Sequence, residues 1–203
     1  MELTENVHIK NITTILKQFP NYHIEGNLLC DKTPDNWDYE RNNDKIRNLQ
    51  IMSKNKKKII EIGVNACHSL LIMLLENPTA EYLLFDLNVH PYTEPTLRYV
   101  KEKFPTTKIT VVFGDSTKTI TQYIADNPME WNTYDLCHLD GGHTRDIFSV
   151  DYENMKHFMT KKGIVIFDDY DYPEIHSFIQ EKMYEIKEVN SIKTPLHFIY
   201  TYV

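Results

Sequence analysis

From Lys57 onward the chain alternates two kinds of hydrophobic pattern. Short runs dense in β-branched and aromatic residues occur at 59–62, 82–85, 108–113, 134–139 and 163–167. They are too short and too continuous for amphipathic helices, so they read as strands buried on both faces. Between them lie longer stretches whose apolar residues recur at helical steps, at 70–75, 96–104, 117–125 and 145–159, and a short helix at 173–182 follows the fifth strand. In the 145–159 stretch Phe148, Tyr152, Met155 and Met159 fall at steps of four, three and four, which is one helix face. Regular alternation of strand and helix predicts a parallel sheet covered on both sides. Two last strands, 184–189 and 196–202, have no helix between them, so one strand must run antiparallel. The expected fold is α/β, a Rossmann-like doubly wound sheet of seven strands.

The first 55 residues lack this alternation and predict a separate helical extension, with the α/β domain spanning 56–203. Val7, Ile9, Ile12, Ile15, Leu16 and Phe19 can share one helix face, which Pro20 ends. Trp37, Tyr39, Ile46, Leu49, Ile51 and Met52 suggest a second helix. The extension reads as a lid over a ligand cleft, or equally as a packing appendage or the arm of a homodimer.

Composition narrows the function classes. The net charge of −7 argues against general nucleic-acid binding. The three cysteines, Cys30, Cys67 and Cys137, have no paired spacing, which fits a reducing compartment. No apolar run is long enough to span a bilayer, and the expectation is a cytoplasmic protein whose partner is a small molecule.

The chemistry begins where the first strand ends, at Gly63 in Glu61-Ile-Gly-Val-Asn65-Ala-Cys-His-Ser69. A strand, a glycine turn and a helix open a Rossmann-like unit, whose ligand lies beyond the carboxyl ends of the strands. A dinucleotide pyrophosphate asks for three glycines there, and this turn has one. An acid such as Glu61 suits a cationic ligand better, and S-adenosylmethionine carries both a sulfonium and an ammonium. The segment resembles the first motif of the class I methyltransferases, E/D-x-G-x-x-x-G-x-S, at Glu61, Gly63 and Ser69, and departs from it at Cys67. The resemblance implies S-adenosylmethionine as cofactor, held by Glu61, Gly63, Asn65 and Ser69. Asp86, about twenty residues on, stands where an acid binds both ribose hydroxyls, or is a plain acid at a strand end. Asp115 and Ser116 end the third strand where similar enzymes contact adenine, and both residue types also cap helices well.

The fourth and fifth strand ends carry the more specific pattern. LDGGH at 139–143 and KKGIVIFDDY at 161–170 resemble the D-G-x-H and G-G-x-x-x-x-D-D motifs of macrocin-type O-methyltransferases, which act on sugars of natural products. Lys162 replaces the usual first glycine of the second motif. Asp140, at the end of the fourth strand, is expected both at the cofactor and in catalysis. Asp140, Asp168 and Asp169 would converge at adjacent strand ends, and three close carboxylates repel unless a cation lies between them. Oxygen-only ligands suit Mg²⁺, which can bind an acceptor hydroxyl and lower its pKa. The bland alternative for Asp168-Asp169 is turn formation and helix capping. His143 is the expected general base. Cys137-His138 and Cys67-His68 mimic zinc ligands, but Cys137 and His138 face opposite sides of a strand and Cys67-His68 has no second pair. His197 has no context that gives it a role.

These observations predict an S-adenosylmethionine-dependent O-methyltransferase, metal-assisted, acting on a hydroxyl of a small molecule, with a sugar or glycosylated compound as first candidate. The rivals are a metal-independent enzyme using His143 as sole base, a nucleotide-binding module without turnover, and a nicotinamide-dependent oxidoreductase.

Overall fold

The computed structural model describes residues 3–24, 28–30, 33–34 and 42–203. Seven strands form one sheet: β1 (Lys58–Ile62), β2 (Glu81–Asp86), β3 (Ile109–Phe113), β4 (Tyr134–Leu139), β5 (Met159–Phe167), β6 (Ile186–Glu188) and β7 (Phe198–Tyr202). Their order is β3-β2-β1-β4-β5-β7-β6, and β7 runs antiparallel to both of its neighbours. The order reverses between β1 and β4, so the switch point of the sheet lies at Gly63 and Asp140.

Side-chain alternation along the strands sorts the core into two layers. Ile59, Leu84, Leu136, Ile166 and Ile199 face α3 (His68–Glu76) and α4 (Thr93–Lys103). Ile60, Leu83, Cys137, Val165 and Tyr200 face α5 (Ser116–Asp126), α6 (Arg145–Phe158) and α7 (Pro173–Lys182). The helices of the extension, α1 (Val7–Leu16) and α2 (Asn43–Ser53), bury Ile9, Ile12, Leu16, Ile46 and Leu49 in the first layer. The extension therefore shares a hydrophobic core with the sheet; Trp37 and Tyr39 lie outside the described residues. Among the described residues, no helix is long and apolar enough to cross a membrane.

The glycine turn is dictated by contact. Gly63 has φ +86°, and a Cβ there would lie 1.8 Å from the carbonyl oxygen of Asp140. Only glycine lets β1 and β4 end side by side. Cys67, at the position the motif gives to a second glycine, adopts the same left-handed region with φ 62° and is fully buried. Its Sγ accepts a hydrogen bond from Thr96 Oγ1 at 3.5 Å. In the pair Gly141-Gly142 neither residue has a positive φ, so no left-handed turn calls for glycine there. Their smallness matters instead: a Cβ on Gly142 would press to 2.8 Å from Ile147, and one on Gly141 to 3.1 Å from Asp151 Oδ2.

Candidate active site

Beyond the carboxyl ends of β1, β2, β3 and β4 lies a cavity of about 780 Å³. Gly63, Asn65, Ser69, Asp86, Asp115, Ser116, Asp140 and His143 all line it, so eight of the residues singled out in the sequence meet at one place. Asp86 is nearly buried. Its Oδ2 accepts the backbone N–H groups of Val64 and Asn65 at 2.8 and 2.9 Å, and its Oδ1 accepts that of Asn88 at 2.7 Å. Asp86 thus fixes the glycine turn from the neighbouring strand; Oδ2 is filled by its two N–H donors, and Oδ1 keeps one acceptor site. Asp115 caps α5, accepting from Thr117 N–H at 3.1 Å and Thr117 Oγ1 at 2.6 Å, which lowers its pKa. Ser116 Oγ donates to Asp151 Oδ2 at 3.0 Å. Asp151, on α6, has no exposed surface, and burial pushes its carboxyl up to about 7 against the pull of the Ser116 bond.

Glu61, Asp168 and Asp169 stand outside the cavity lining. Glu61, expected to face the cofactor's cation, is fully buried and accepts from His138 Nδ1 at 3.0 Å. Of the three expected metal carboxylates, Asp140 and Asp169 come together with His143, each offering one ligand atom, all within 4.8 Å of one another. Asp169 Oδ2 lies 2.7 Å from His143 Nε2. That hydrogen bond raises the His143 pKa, burial opposing it. Burial, reinforced by Asp168, pushes the Asp140 carboxyl well above the usual carboxylate range.

Asp168 belongs to a second, buried cluster on the α2 side of the sheet. Its Oδ1 lies 2.5 Å from Lys45 Nζ, 3.5 Å from His197 Nε2, and accepts the Asp169 N–H at 2.7 Å. Its Oδ2 faces His138 Nε2 at 3.4 Å. Burial alone would raise the Asp168 pKa, but the Lys45 ammonium leads the groups that hold it well below the usual range. His138 lies between Glu61 and Asp168, and against the opposing effect of burial these carboxylates push its pKa up to about 10. Its ring thus lies between the two carboxylates, Nδ1 on Glu61 and Nε2 facing Asp168.

The sequence reading passed over Lys45, His138 and His197. A signal existed for His138. Glu61 and His138 are the polar residues in the buried middles of β1 and β4, and they are register partners on adjacent parallel strands. Two buried polar side chains at such positions satisfy each other. Lys45 and His197 gave no comparable signal, since their partners come from remote segments. His68, set aside as a zinc ligand, lines the cavity while almost buried, and burial lowers its pKa to about 4.

Three solved structures share the fold. A Staphylococcus aureus protein provisionally named a caffeoyl-CoA O-methyltransferase has a TM-score of 0.63 at 15% identity, covering 98% of this chain and 94% of its own. A Geobacter sulfurreducens methyltransferase has a TM-score of 0.62 at 10% identity, with coverage of 100% and 91%. An S-adenosyl-L-methionine methyltransferase from Silicibacter pomeroyi has a TM-score of 0.52 at 16% identity, with coverage of 81% and 96%. No curated protein matches the chain by sequence. A family model described as a methyltransferase domain matches residues 60–170. That span runs from β1 through the Asp168-Asp169 pair and is more than half of the 203 residues. The chain belongs to this methyltransferase-domain family, as an S-adenosylmethionine-dependent enzyme of the class I fold.

Proposed function

We propose that this enzyme moves the methyl group of S-adenosylmethionine to a hydroxyl oxygen of a small molecule, with His143 as general base. A sugar or glycosylated acceptor, as in the macrocin-type group, is the favoured class, supported by the LDGGH and FDD segments. The observation that carries the reading is the 2.7 Å contact between Asp169 and His143 at the wall of the cofactor-sized cavity. With Nε2–H given to Asp169, the Nδ1 lone pair is left to take a proton. The acceptor oxygen attacks the methyl carbon in line, and the carbon–sulfur bond breaks with its electron pair going to sulfur. The hydroxyl proton passes to His143 Nδ1, and Asp169 stabilises the imidazolium. Asp86 accepts from a ribose hydroxyl with the remaining lone pair of Oδ1, Asp115 and Ser116 meet the adenine, and Gly63, Asn65 and Ser69 line the rest of the cofactor's path.

The second reading adds a divalent cation, Mg²⁺ first, and is favoured by the convergence of Asp140, His143 and Asp169. The carboxylates fit it in part. Asp140 and Asp169 would hold the ion, whereas Asp168 already carries the Lys45 ammonium and the Asp169 N–H on Oδ1. A cation there would lower the pKa of the acceptor hydroxyl. Transfer assays on glycosylated acceptors, with and without EDTA, separate the readings. His143→Ala should lose about 10²–10⁴-fold in rate, the usual worth of a general base, at unchanged affinity for S-adenosylhomocysteine. A variant with wild-type turnover would remove His143 from the mechanism, and full activity in EDTA would remove the cation.

A further inference from the structure

We infer that Lys45, contributed by the N-terminal extension, takes the place of a metal ion at Asp168 and thereby positions the Asp169–His143 pair. The inference rests on the assignment of those two residues to the acceptor site.

The electrostatic problem is set by three acids at two adjacent strand ends. Asp140, Asp168 and Asp169 cannot all be ionised in a partly buried site without a compensating cation. The structure supplies one from within the chain. Lys45 leaves α2 with its side chain 11% exposed, and Nζ reaches Asp168 Oδ1 at 2.5 Å. One charge-assisted contact of this kind holds a carboxylate in a fixed orientation.

That orientation is transmitted. The same Oδ1 that holds Lys45 also accepts the Asp169 N–H at 2.7 Å. Asp169 has φ 54°, a left-handed conformation that a non-glycine residue keeps only when its surroundings impose it. In that conformation Asp169 Oδ2 sits 2.7 Å from His143 Nε2. Lys45, Asp168, Asp169 and His143 therefore form one chain of contacts, from a buried helix of the extension to the cavity wall. Lys45 is a positioning residue. It reaches the base through two acids, and the cavity lining does not include it.

A tethered ammonium and a diffusible cation compete for the same carboxylate. Titration of Mn²⁺ into the full-length chain, followed by the electron paramagnetic resonance of the free ion, measures that competition. In wild type, Asp168→Asn should leave Mn²⁺ affinity unchanged, because Asp168 is already occupied. Lys45→Ala should bind Mn²⁺ about tenfold or more tightly than wild type, since cation affinity follows the number of charged ligands. The rise should vanish in Lys45→Ala/Asp168→Asn. No rise in Lys45→Ala, or a wild-type affinity that falls in Asp168→Asn, overturns the inference. Should Lys45→Ala fail to fold, a buried Asp168 carboxylate stripped of its ammonium partner is the expected reason, and Lys45→Met/Asp168→Asn should then recover the wild-type fold. A double variant no more stable than the single one overturns it too. These readouts are independent of turnover, so they can fail while His143 remains the base, and the converse also holds.

Discussion

Asp151 gives the sharpest test of the electrostatics around the cavity. It has no exposed surface, Oδ2 accepts the Ser116 hydroxyl at 3.0 Å, and Oδ1 has no hydrogen-bond partner among the described residues. Burial raises its pKa from 3.8 to about 7; the Ser116 bond pulls the other way and Asp115 adds to the rise. The sign of the pH dependence follows. Below about pH 4 the carboxyl is protonated in both folded and unfolded chains and contributes nothing to a pH-dependent difference. Between about pH 4 and pH 7 the unfolded chain gives up its proton while the folded chain retains it, so stability falls as pH rises. Above about pH 7 both are ionised and the penalty levels off. A rise from 3.8 to about 7, at about 1.4 kcal/mol for each tenfold change in proton affinity, sets the full penalty at about 4 kcal/mol. Asp151→Asn removes the ionisation and keeps an oxygen for Ser116. Its amide leaves one buried donor side unsatisfied, much as the protonated acid does, so the two proteins should match at the acid end. The expected result is urea unfolding that is nearly equal near pH 4.5 and favours Asp151→Asn increasingly toward pH 8, by about 2–4 kcal/mol. A difference that does not change with pH, or a mutant less stable at pH 8, would refute the burial argument.

Three further substitutions test the cofactor side and the turn. Asp86→Ala should weaken S-adenosylhomocysteine binding by roughly 1.5–3 kcal/mol, the cost of lost hydrogen bonds to a charged group, measured by calorimetry; unchanged affinity would withdraw the ribose assignment. Gly63→Ala should cost more than about 4 kcal/mol or prevent folding, since its Cβ would lie 1.8 Å from the Asp140 carbonyl oxygen. A soluble Gly63→Ala protein with a wild-type melting temperature would mean that β1 and β4 do not end as described. Asp169→Asn should lower turnover while leaving cofactor affinity intact, because it loosens the hold on His143 without touching the cavity's cofactor wall; wild-type turnover would detach Asp169 from the base.

The sheet was legible because its strands are buried on both faces and write themselves as continuous apolar runs. All seven appear where the pattern put them, though β5 begins at Met159 rather than at Gly163. That strand's early part, Thr160 to Lys162, is polar and exposed or half-buried, and apolar continuity cannot mark it. The cavity was legible for a related reason. In an open parallel sheet the ligand lies at the carboxyl ends, so the polar residue after each strand is a candidate whatever the helices do. Glu61 and Asp168 escaped that rule. They are also near strand ends, but alternation turns both toward the α1–α4 layer, where His138, His197 and Lys45 receive them.

The contact between Lys45 and Asp168 is what the motif could not reveal. A sequence pattern at 139–170 records the acids and contains no hint of a lysine in the extension. Lys45 reaches Asp168 only because α2 packs its apolar side, Ile46 and Leu49, into the layer beneath the sheet, which carries the neighbouring residue to the strand ends. The extension thus has two roles that the sequence kept apart. Its hydrophobic face closes the core against α3 and α4, and one charged side chain enters the acid cluster beside the cavity. Charge balance then follows from the fold. Lys45 and His138 stand against Asp168 and Glu61, His143 Nε2 lies against Asp169, and burial, reinforced by Asp168, pushes the Asp140 carboxyl above the usual carboxylate range.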